Sequence, residues 1–437
     1  MKRTILFATE YWPPFAPGGA EWTNAAWAEA LARRGHRVIV VTPDYGASPR
    51  EERDGVLVVR PPFSVKLRPG QQEAGWLLHK NPLFHAWVAR WTRRVAEAEG
   101  VDLVHAQNKG ALVGAWRAAR ALGRPLAVTV RDVGLLCPVG ACTLFEPWTT
   151  FDCTMRQYVT RCVPYFLAHY AAGDGPLRRA RRWGSLLAAW GDHAAQRRAL
   201  AEADLVIGVS RGILALYPPA LVDGGRARVV HSLPPRVAGV DEDPAAVRAR
   251  LGIGGGPLVL YAGKRSLGKG TEVLSAALDA IRAAIPDVRF VFAGKGEIAP
   301  PARDDVHVLG SVPQPTLFAL YRAADVVVVP SVWPEPLSRV LMEAMRFGRA
   351  VVATRVGGSP ELVEDGVTGL LVAPRDPAAL ARAVAALLRD PERRARLGAA
   401  AARRTETEFD EERLVGVLLD AYDDALARRA SPARPRA

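Results

Sequence analysis

Residues 326–343 read Val-Val-Val-Val-Pro-Ser-Val-Trp-Pro-Glu-Pro-Leu-Ser-Arg-Val-Leu-Met-Glu. The four valines form a continuous apolar run, which is typical of a strand buried on both faces of a parallel sheet. Pro330 ends that strand, and a helix is expected to begin near Ser338. The stretch therefore predicts a strand–loop–helix unit with Glu335 in the loop and Glu343 more than one turn inside the helix.

Similar short apolar runs alternate with Ala-rich helical stretches along the whole chain. The strands predicted in the first half are Thr4–Ala8, Val38–Thr42, Val56–Arg60, Leu103–His105, Leu126–Val130 and Leu205–Val209. Those predicted in the second half are Leu258–Ala262, Arg289–Ala293, Val306–Leu309, Val326–Val329, Ala350–Thr354 and Gly369–Val372. This alternation predicts an α/β fold with two doubly wound, Rossmann-like domains.

The Pro-rich and then acidic stretch Ser232–Asp243 predicts the domain boundary. We expect residues 1–235 to form an N-terminal domain and residues 236–415 a C-terminal domain. Residues 416–437 are expected to form a C-terminal helix, for which a return to the first domain is one alternative, and a disordered tail at Ser431–Ala437. Doubly wound sheets bind ligands at the carboxyl ends of their strands, so the sequence predicts a site in a cleft between the domains.

The composition excludes several classes of protein. The chain has 437 residues, of which 49% are hydrophobic and only four are Cys, so disorder and a disulfide-rich scaffold are both disfavoured. It lacks the run of about 20 apolar residues that a membrane-spanning helix needs. Residues 1–10 fit a first buried strand better than a signal peptide, because their apolar stretch is short. We expect a cytoplasmic protein.

The net charge of +13 is concentrated in the first half of the chain. Residues 1–240 carry 31 Lys and Arg against 19 Asp and Glu, whereas residues 241–437 carry 27 against 26. Ten of the 11 Trp residues also precede residue 240. The two halves are therefore expected to face different partners.

The spacing of Glu335 and Glu343 suggests two anchors on one extended ligand. If both lay on one helix they would be about 12 Å apart, which is too far for a carboxylate pair acting on a single bond. Carboxylates accept hydrogen bonds from sugar hydroxyls, and the start of a helix attracts anions. The alternative is an exposed glutamate together with a capping carboxylate.

Gly-rich loops adjoin four of the predicted strands. The loops with basic residues are Gly263-Lys-Arg-Ser-Leu-Gly-Lys-Gly270 and Gly294-Lys-Gly296, Gly357-Gly358 follows a later strand, and Gly366-Val-Thr-Gly369 leads into the next one. Glycine permits close approach of the backbone, and lysine offers a point charge to phosphate. The first loop is not a Walker A motif, because it lacks the Gly-Lys-Ser/Thr ending.

Taken together, these motifs resemble family 4 of the retaining glycosyltransferases, which have the two-Rossmann GT-B architecture. The resemblance covers nearly the whole chain. Its most specific element is a Glu, seven intervening residues and a second Glu, which matches Glu335 and Glu343. The family implies that Glu335 and the backbone beside it hold the donor sugar, and that Glu343 accepts from the ribose hydroxyls.

The resemblance also implies roles for residues outside that signature. The diphosphate-binding loop matches Gly263, Lys264, Lys269 and Gly270. Both lysines are expected to offset the charge of the departing diphosphate, and Lys264 replaces the usual arginine, so a bidentate fork becomes a point charge. The remaining donor-binding residues that it implies are Gly294, Val312, Leu337 and Ser338. The segment that ends at Val312 reads the base through its backbone, so the sequence does not identify the base.

The first domain begins with a Gly-Gly loop rather than a dinucleotide fingerprint. Residues 11–21 do not fit Gly-x-Gly-x-x-Gly, which disfavours an oxidoreductase. They resemble the family's loop at the interdomain cleft, where Gly18 and Gly19 would let backbone amides approach the donor or the acceptor. The alternative is a plain turn before a helix.

One position departs from the family pattern. Many members have Thr-x-His-Asp where this chain has Thr129-Val-Arg-Asp132, so Arg131 replaces the common histidine. We predict that Arg131 stabilises the growing charge of the leaving phosphate. The alternative is a structural arginine paired with Asp132. His105, at another strand end, resembles a position that lines the cleft, although a lone histidine there is as often structural.

The cysteines are clustered within a short stretch of the first domain: Cys137, Cys142, Cys153 and Cys162. Only the first gap fits a zinc site, and a reducing compartment disfavours disulfides. Three interpretations of these cysteines are possible: a structural metal cluster, reduced thiols and disulfides. No catalytic metal or cofactor is expected.

Two aromatic or basic segments suggest a membrane surface. Residues 76–94 contain three Trp residues among basic ones, and residues 178–182 contain four Arg. This composition suits a helix lying on anionic lipid. The alternative for the first segment is a helix that packs on the core with a solvated basic face. No nucleic-acid motif is present, so nucleic acid is not expected as a partner.

The sequence thus predicts a metal-independent, retaining hexosyltransferase. It would move a sugar from a nucleoside diphosphate sugar to a glycan, lipid-linked or small-molecule acceptor, in the synthesis of a cell-surface polysaccharide or glycoconjugate. One alternative is a GT-B sugar-nucleotide epimerase. Another is a catalytically degenerate sugar-binding protein, which the departures at Arg131 and Lys264 would favour.

Overall fold

A computed structural model of the chain describes residues 2–68, 71, 72, 74, 78–138, 154–171, 173–235 and 242–430. The described chain divides into two compact units. Unit 1 comprises residues up to Val209, residues Ile213–Leu233 and the segment from Glu411 onward, and unit 2 comprises Ser210–Gly212 and Pro234–Asp410. The predicted disordered tail, Ser431–Ala437, lies outside the described residues.

Unit 1 is built on an eight-stranded sheet. Its strands are β1 Thr4–Ala8, β2 Arg37–Val41, β3 Arg50–Arg53, β4 Val56–Val59, β5 Leu103–Ala106, β6 Leu126–Val130, β7 Leu205–Gly208 and β8 Ala227–Val229. They lie in the order β3-β4-β2-β1-β5-β6-β7-β8. All pairings between them are parallel except that of β3 with β4. The central strands are apolar and buried because helices cover both faces.

The helices of the first 233 residues alternate with these strands. They are α1 Gly19–Arg33, α2 Pro82–Glu99, α3 Lys109–Leu122, α4 Met155–Gln157, α5 Val163–Tyr170, α6 Pro176–Ala201, α7 Arg211–Leu214 and α8 Pro219–Val222. A separate small core, which includes Tyr158, Val163 and Leu167, packs against Leu186 of α6.

Unit 2 has a six-stranded sheet in the order β11-β10-β9-β12-β13-β14, with every pairing parallel. Its strands are β9 Leu258–Ala262, β10 Arg289–Ala293, β11 Val306–Gly310, β12 Val326–Val329, β13 Ala350–Thr354 and β14 Leu370–Val372. Its helices are α9 Pro244–Arg250, α10 Thr271–Ala284, α11 Gln314–Ala323, α12 Arg339–Arg346, α13 Ser359–Leu362, α14 Pro377–Arg389 and α15 Pro391–Thr407.

The register of the second sheet aligns the loops that carry the predicted site. Ala262 at the end of β9 pairs with Ala293 at the end of β10, so the glycines that follow both strands begin at the same height. In the same way, Val329 of β12 pairs with Ala353 of β13. The loops with Glu335 and with Gly357 therefore emerge side by side.

The last helix, α16 Glu411–Ala430, belongs to unit 1 although it follows unit 2 in the chain. Leu414, Leu418 and Tyr422 are buried on it. Ion pairs join its polar face to arginines elsewhere in unit 1. They are Arg3–Asp423, Arg33–Glu411, Arg34–Glu412 and Arg228–Asp424. The sequence predicted that this helix starts at residue 416, and in the structure it starts five residues earlier, at Glu411.

The predicted α/β fold with two sheets is confirmed, and every predicted strand lies within one residue of an observed one. Two strands at the edges of the first sheet were not predicted. β3 has the sequence Arg-Glu-Glu-Arg, which carries no apolar signal, and its extended state depends on antiparallel pairing with β4. β8 has only three residues.

Candidate active site

The carboxylate of Glu335 is the centre of a buried hydrogen-bond network in unit 2. Lys269 Nζ donates to both carboxylate oxygens at 2.7 and 2.9 Å, Trp333 Nε1 donates at 2.8 Å and Ser331 Oγ at 2.9 Å. Burial raises the pKa of Glu335, but the charge of Lys269 and these hydrogen bonds outweigh it, so the pKa lies below its usual value. Glu335 is therefore held as an anion.

The two lysines of the Gly263–Gly270 loop have different surroundings. Lys269 lies two residues before α10 and contacts Glu335, and its Nζ lies 4.8 Å from the centroid of the Trp333 ring. Lys264 instead pairs with Glu297 at 2.9 Å, and both side chains are mainly exposed. The guanidinium of the neighbouring Arg265 donates to backbone carbonyls of the next loop.

The glycines of these loops let backbone segments touch. Gly294 has a φ of +146°, and a Cβ built there would lie 1.9 Å from the carbonyl oxygen of Gly263. Gly357 has a φ of +51°, and a Cβ there would lie 2.1 Å from the carbonyl oxygen of Glu335. The N–H of Gly358 donates to that same oxygen at 2.7 Å. Only glycine fits at these points, and the loop of Glu335 is fixed by its neighbour.

Glu343 lies on α12 as predicted and is 4% exposed. Its carboxylate accepts from the Tyr321 hydroxyl at 2.9 Å and from Arg339 Nε at 2.8 Å. Ser338 caps the helix by accepting from the Leu341 N–H. Each carboxylate oxygen has two lone pairs, so Glu343 keeps the capacity to accept further hydrogen bonds.

The other predicted donor-binding residues of unit 2 lie at the same edge of its sheet. Leu337 is buried in the loop before α12, and Val312 is half-buried in the loop between β11 and α11. Both follow carboxyl ends of strands, the edge at which doubly wound sheets bind their ligands.

In unit 1 a residue of α1 and the residues that follow β5 and β6 form a second polar cluster. The guanidinium of Arg131 donates to Asn24 Oδ1, to the Gln107 carbonyl and, at 3.1 Å, to Gln107 Oε1. The predicted alternative pairing is not what holds Arg131, since the carboxylate of Asp132 accepts from the Gly134 N–H. Arg131 is thus fixed by two neutral amide side chains.

The Gly-Gly loop leads directly into this cluster. Gly18 and Gly19 are exposed at the start of α1, but the Gly18 N–H donates to Glu21 Oε2 at 3.0 Å. The other oxygen of Glu21 accepts from Asn108 at 3.2 Å. The Gly18 amide is therefore already engaged, and Glu21 lies where the sequence placed only backbone groups.

Glu10, which follows β1, is a further buried carboxylate that the sequence did not single out. It is 8% exposed, and its Oε1 accepts from the Gly110 N–H at 3.3 Å. Burial, with a smaller contribution from nearby Glu21, raises the pKa of Glu10 to about 7. A carboxyl group of this kind changes charge near neutral pH.

The cysteine segment is described only in part. Cys137 and Cys162 are buried, whereas Cys142 and Cys153 lie outside the described residues. Among the residues that the structure describes, no three His, Cys, Asp or Glu side chains lie close enough to share a metal ion.

The two segments predicted to contact membrane differ in exposure. Trp87 and Trp91 of α2 pack against the core of unit 1, and Trp87 Nε1 donates to the Pro62 carbonyl. This supports the core-packing alternative for α2, while Trp76 lies outside the described residues. In contrast, every residue of Pro176–Arg182 is exposed, and Leu177 reaches 87%. No helix in the described part of the chain is both long and apolar enough for a membrane span.

Protein-family models match both units. A model described as glycosyl transferase 4-like domain matches residues 18–232, and one described as glycosyl transferases group 1 matches residues 256–390. The chain belongs to the group 1 glycosyl transferases. The family predicted from the Glu335 and Glu343 signature is therefore confirmed.

Relatives of this group 1 glycosyl transferase match over part of their length. The D-inositol 3-phosphate glycosyltransferase of Xylanimonas cellulosilytica is 39% identical over 231 residues, which cover 47% of this chain and 53% of that protein. In such alignments the chain spans about half the length of the curated relatives that it matches.

Solved structures show the shared fold over nearly the whole chain. Sucrose-phosphate synthase from Thermosynechococcus elongatus has a TM-score of 0.70 at 22% identity and covers 98% of this chain and 100% of its own. Anabaena HepE, solved in complex with UDP-glucose, has a TM-score of 0.65 at 20% identity and covers 96% and 99%. The two-domain GT-B fold is thereby confirmed.

The site of this transferase contains residues that the sequence reasoning missed, although signals for some were present. Trp333 is the only Trp after residue 240. Arg339 stands four residues before Glu343, a spacing that brings side chains together on a helix. Gly18 and Glu21 have the spacing of a capping box. Gln107 and Asn24 carried no such signal, because their contacts are made across the fold.

Proposed function

We propose that the protein transfers a glycosyl group from a nucleoside diphosphate sugar to an acceptor hydroxyl, with retention of configuration and without a metal ion. The Lys269–Glu335 contact carries this proposal. It places a cation and a buried anion next to a helix start, among loops whose glycines let backbone segments approach closely. Such a site suits a ligand with both phosphate and hydroxyl groups.

The comparisons support the class of donor. Anabaena HepE was solved with UDP-glucose, and the Xylanimonas relative is named a D-inositol 3-phosphate glycosyltransferase. We take from them the nucleotide sugar as donor and leave the base, the sugar and the acceptor to experiment. A role in the synthesis of a cell-surface polysaccharide or another glycoconjugate is part of the proposal.

The proposed chemistry assigns each charged residue one task. Glu335, held as an anion, accepts from hydroxyls of the donor sugar, and Glu343 accepts from those of the ribose. Lys269 offsets the charge that develops on the departing diphosphate, and Lys264 can join it by exchanging Glu297 for phosphate. Arg131 also stabilises that charge. The acceptor oxygen attacks on the face that the diphosphate leaves, and the leaving phosphate takes the acceptor's proton.

Turnover by the purified protein tests this function. We expect it to hydrolyse or transfer at least one sugar from a set of UDP-, GDP- and ADP-sugars, with an unchanged rate in EDTA and with the anomeric configuration of the donor preserved in the product. An inverted product would overturn the retaining mechanism. Tight nucleotide binding without any turnover would favour a degenerate sugar-binding protein, and release of an epimerised sugar would favour an epimerase.

A lysine variant tests the observation on which the proposal rests. Lys269→Ala should lower kcat about a hundredfold, because one charge-stabilising group at a leaving group contributes about that much. Lys66→Ala is the matched control, since Lys66 is an ion-paired surface lysine of unit 1 that contacts Asp44. Equal activity of the Lys269→Ala protein and the control would exclude the proposed role of Lys269.

We also propose that α6 is the part of unit 1 that contacts an anionic membrane, which would suit a lipid-linked acceptor. The support is the exposed start of this helix, where Leu177 stands among four arginines. Exposed apolar and basic side chains together favour the lipid interface.

A further inference from the structure

A chain of buried hydrogen bonds leads from the C-terminal helix to Arg131 within unit 1. The Tyr422 hydroxyl of α16 lies 2.7 Å from His105 Nδ1, and His105 Nε2 lies 2.7 Å from Thr129 Oγ1. Gln107 Nε2 lies 3.1 Å from the same Nδ1, and Gln107 Oε1 accepts from Arg131 at 3.1 Å. Each link is a contact between two side chains, and the links from Tyr422 and from Thr129 join His105 to other elements.

Solvent does not compete for these groups. Tyr422 and Gln107 are each 1% exposed, His105 is 2% exposed and Thr129 is 7% exposed. A buried polar group that loses its partner is costly, so each of these side chains is held in place by the others.

The direction of every bond in the chain follows from Arg131. A guanidinium only donates, so the amide oxygen of Gln107 must face it and the amide nitrogen must face His105. His105 Nδ1 therefore accepts, which leaves the proton on Nε2 to be donated to Thr129. The Tyr422 hydroxyl must then also donate to Nδ1, so the two donors share the single lone pair of this nitrogen. One ring tautomer satisfies all four contacts.

The charge state of the ring agrees with this arrangement. Burial, and to a smaller extent the nearby charge of Arg131, lowers the pKa of His105 to about 3. The imidazole is neutral at every pH at which the enzyme would work, so it does not act as a proton carrier.

We propose that His105 is a positioning residue, which acts through Gln107 to fix the guanidinium of Arg131, and that Tyr422 locks the ring in the required tautomer. The inference rests on the proposed function in one respect, namely that Arg131 takes part in the glycosyl transfer. It implies that α16, which follows unit 2 in the chain, completes the polar site of unit 1.

A double-mutant cycle on turnover tests the positioning role. His105→Leu should lower kcat about tenfold while the KM for the nucleotide sugar changes less than twofold, because a misplaced charged group acts mainly on the transition state. In an Arg131→Gln background the same substitution should have no further effect on kcat. His193→Leu, at another buried histidine of unit 1, is the control for destabilisation and should keep kcat. An equal loss from His105→Leu in both backgrounds would overturn the proposal.

Nitrogen-15 spectra of the imidazole test the geometry without turnover. In the wild-type protein, His105 should show an unprotonated Nδ1 and a protonated Nε2 from pH 5 to pH 8. Tyr422→Phe should shift mainly the Nδ1 signal, because that nitrogen loses one of its two donors. A protonated Nδ1, or titration within this range, would contradict the inference. A protein that turns over no nucleotide sugar but shows these spectra would refute only the proposed function.

Discussion

Glu10 shows how burial can make a carboxyl group of unit 1 sensitive to pH near neutrality. Its carboxyl group is 8% exposed, and its Oε2 has no hydrogen-bond partner among the described residues. The pKa of Glu10 is raised from 4.5 to about 7, first by burial and then by Glu21. Between these values the folded chain keeps a proton that the unfolded chain has released. Stability is therefore lost as the pH rises through this range, and the loss is complete above about pH 7.

Glu10→Gln should remove this penalty, which is about 3 kcal/mol above pH 7. We expect the variant to have the higher Tm at pH 8 and a Tm similar to wild type at pH 4.5, as measured by thermal unfolding across the pH range. Glu52→Gln, at an exposed glutamate of β3, is the control and should show no such pH-dependent difference. A Tm difference that is constant with pH would mean that Glu10 is ionised in the folded protein.

Two glycines in helices of unit 1 allow the effect of helix packing on stability to be distinguished from the effect of helix propensity. Gly114 of α3 faces α2, and a Cβ built there would lie 2.4 Å from Val88 Cβ and 2.8 Å from the His85 carbonyl oxygen. Gly191 of α6 is also helical, but nothing lies within 4 Å of its Cβ position. The same substitution should therefore have opposite effects at the two sites.

Gly114→Ala should destabilise unit 1 by about 1–3 kcal/mol, because α2 and α3 must move apart. Gly191→Ala should stabilise it by up to about 1 kcal/mol, since alanine is the better helix former. Urea unfolding followed by circular dichroism measures both changes. A stabilising Gly114→Ala would show that α2 and α3 are not packed as closely as the structure has them.

At the scale of the whole molecule, the sequence predicted what is local and missed what is brought together by folding. The strands of both sheets were predictable because parallel strands buried on both faces are continuous apolar runs, as in Val326–Val329. Glu335 was predictable as a site residue because proline and glycine mark its loop. Its partner Lys269 stands 66 residues away, so their ion pair follows only from the parallel order of β9 and β12.

The same reasoning explains the misses in unit 1. Arg131 was singled out by its departure from a motif, but its partners Asn24 and Gln107 come from other elements and have no spacing that links them. Tyr422 is still more remote, since it reaches His105 across 317 residues. The alternating pattern of α2 could not separate a core-packing tryptophan from one that faces lipid, because both lie on the apolar side of an amphipathic helix.

The charge difference between the halves is a property of the whole molecule with a local consequence. Most of the net charge of +13 lies before residue 240, and part of it stands at the exposed start of α6. The residues concerned are Arg178, Arg179, Arg181 and Arg182. Each basic residue near an anionic surface contributes about 1 kcal/mol, so together they should give measurable binding at low salt. The wild-type protein should therefore sediment with vesicles that contain about a third of phosphatidylglycerol in phosphatidylcholine, and less so as added salt shortens the screening length.

A variant with these four arginines replaced by glutamine should bind such vesicles at least tenfold more weakly. The matched control has the same net charge, with four exposed arginines from elsewhere replaced by glutamine: Arg124, Arg382, Arg396 and Arg403. If the surface is local, the control binds like the wild-type protein, because distant charges are screened beyond about 10 Å. Equal losses in both variants would mean that only the overall charge matters. A wild-type protein that fails to bind these vesicles at low salt would exclude α6 as a membrane-contacting helix.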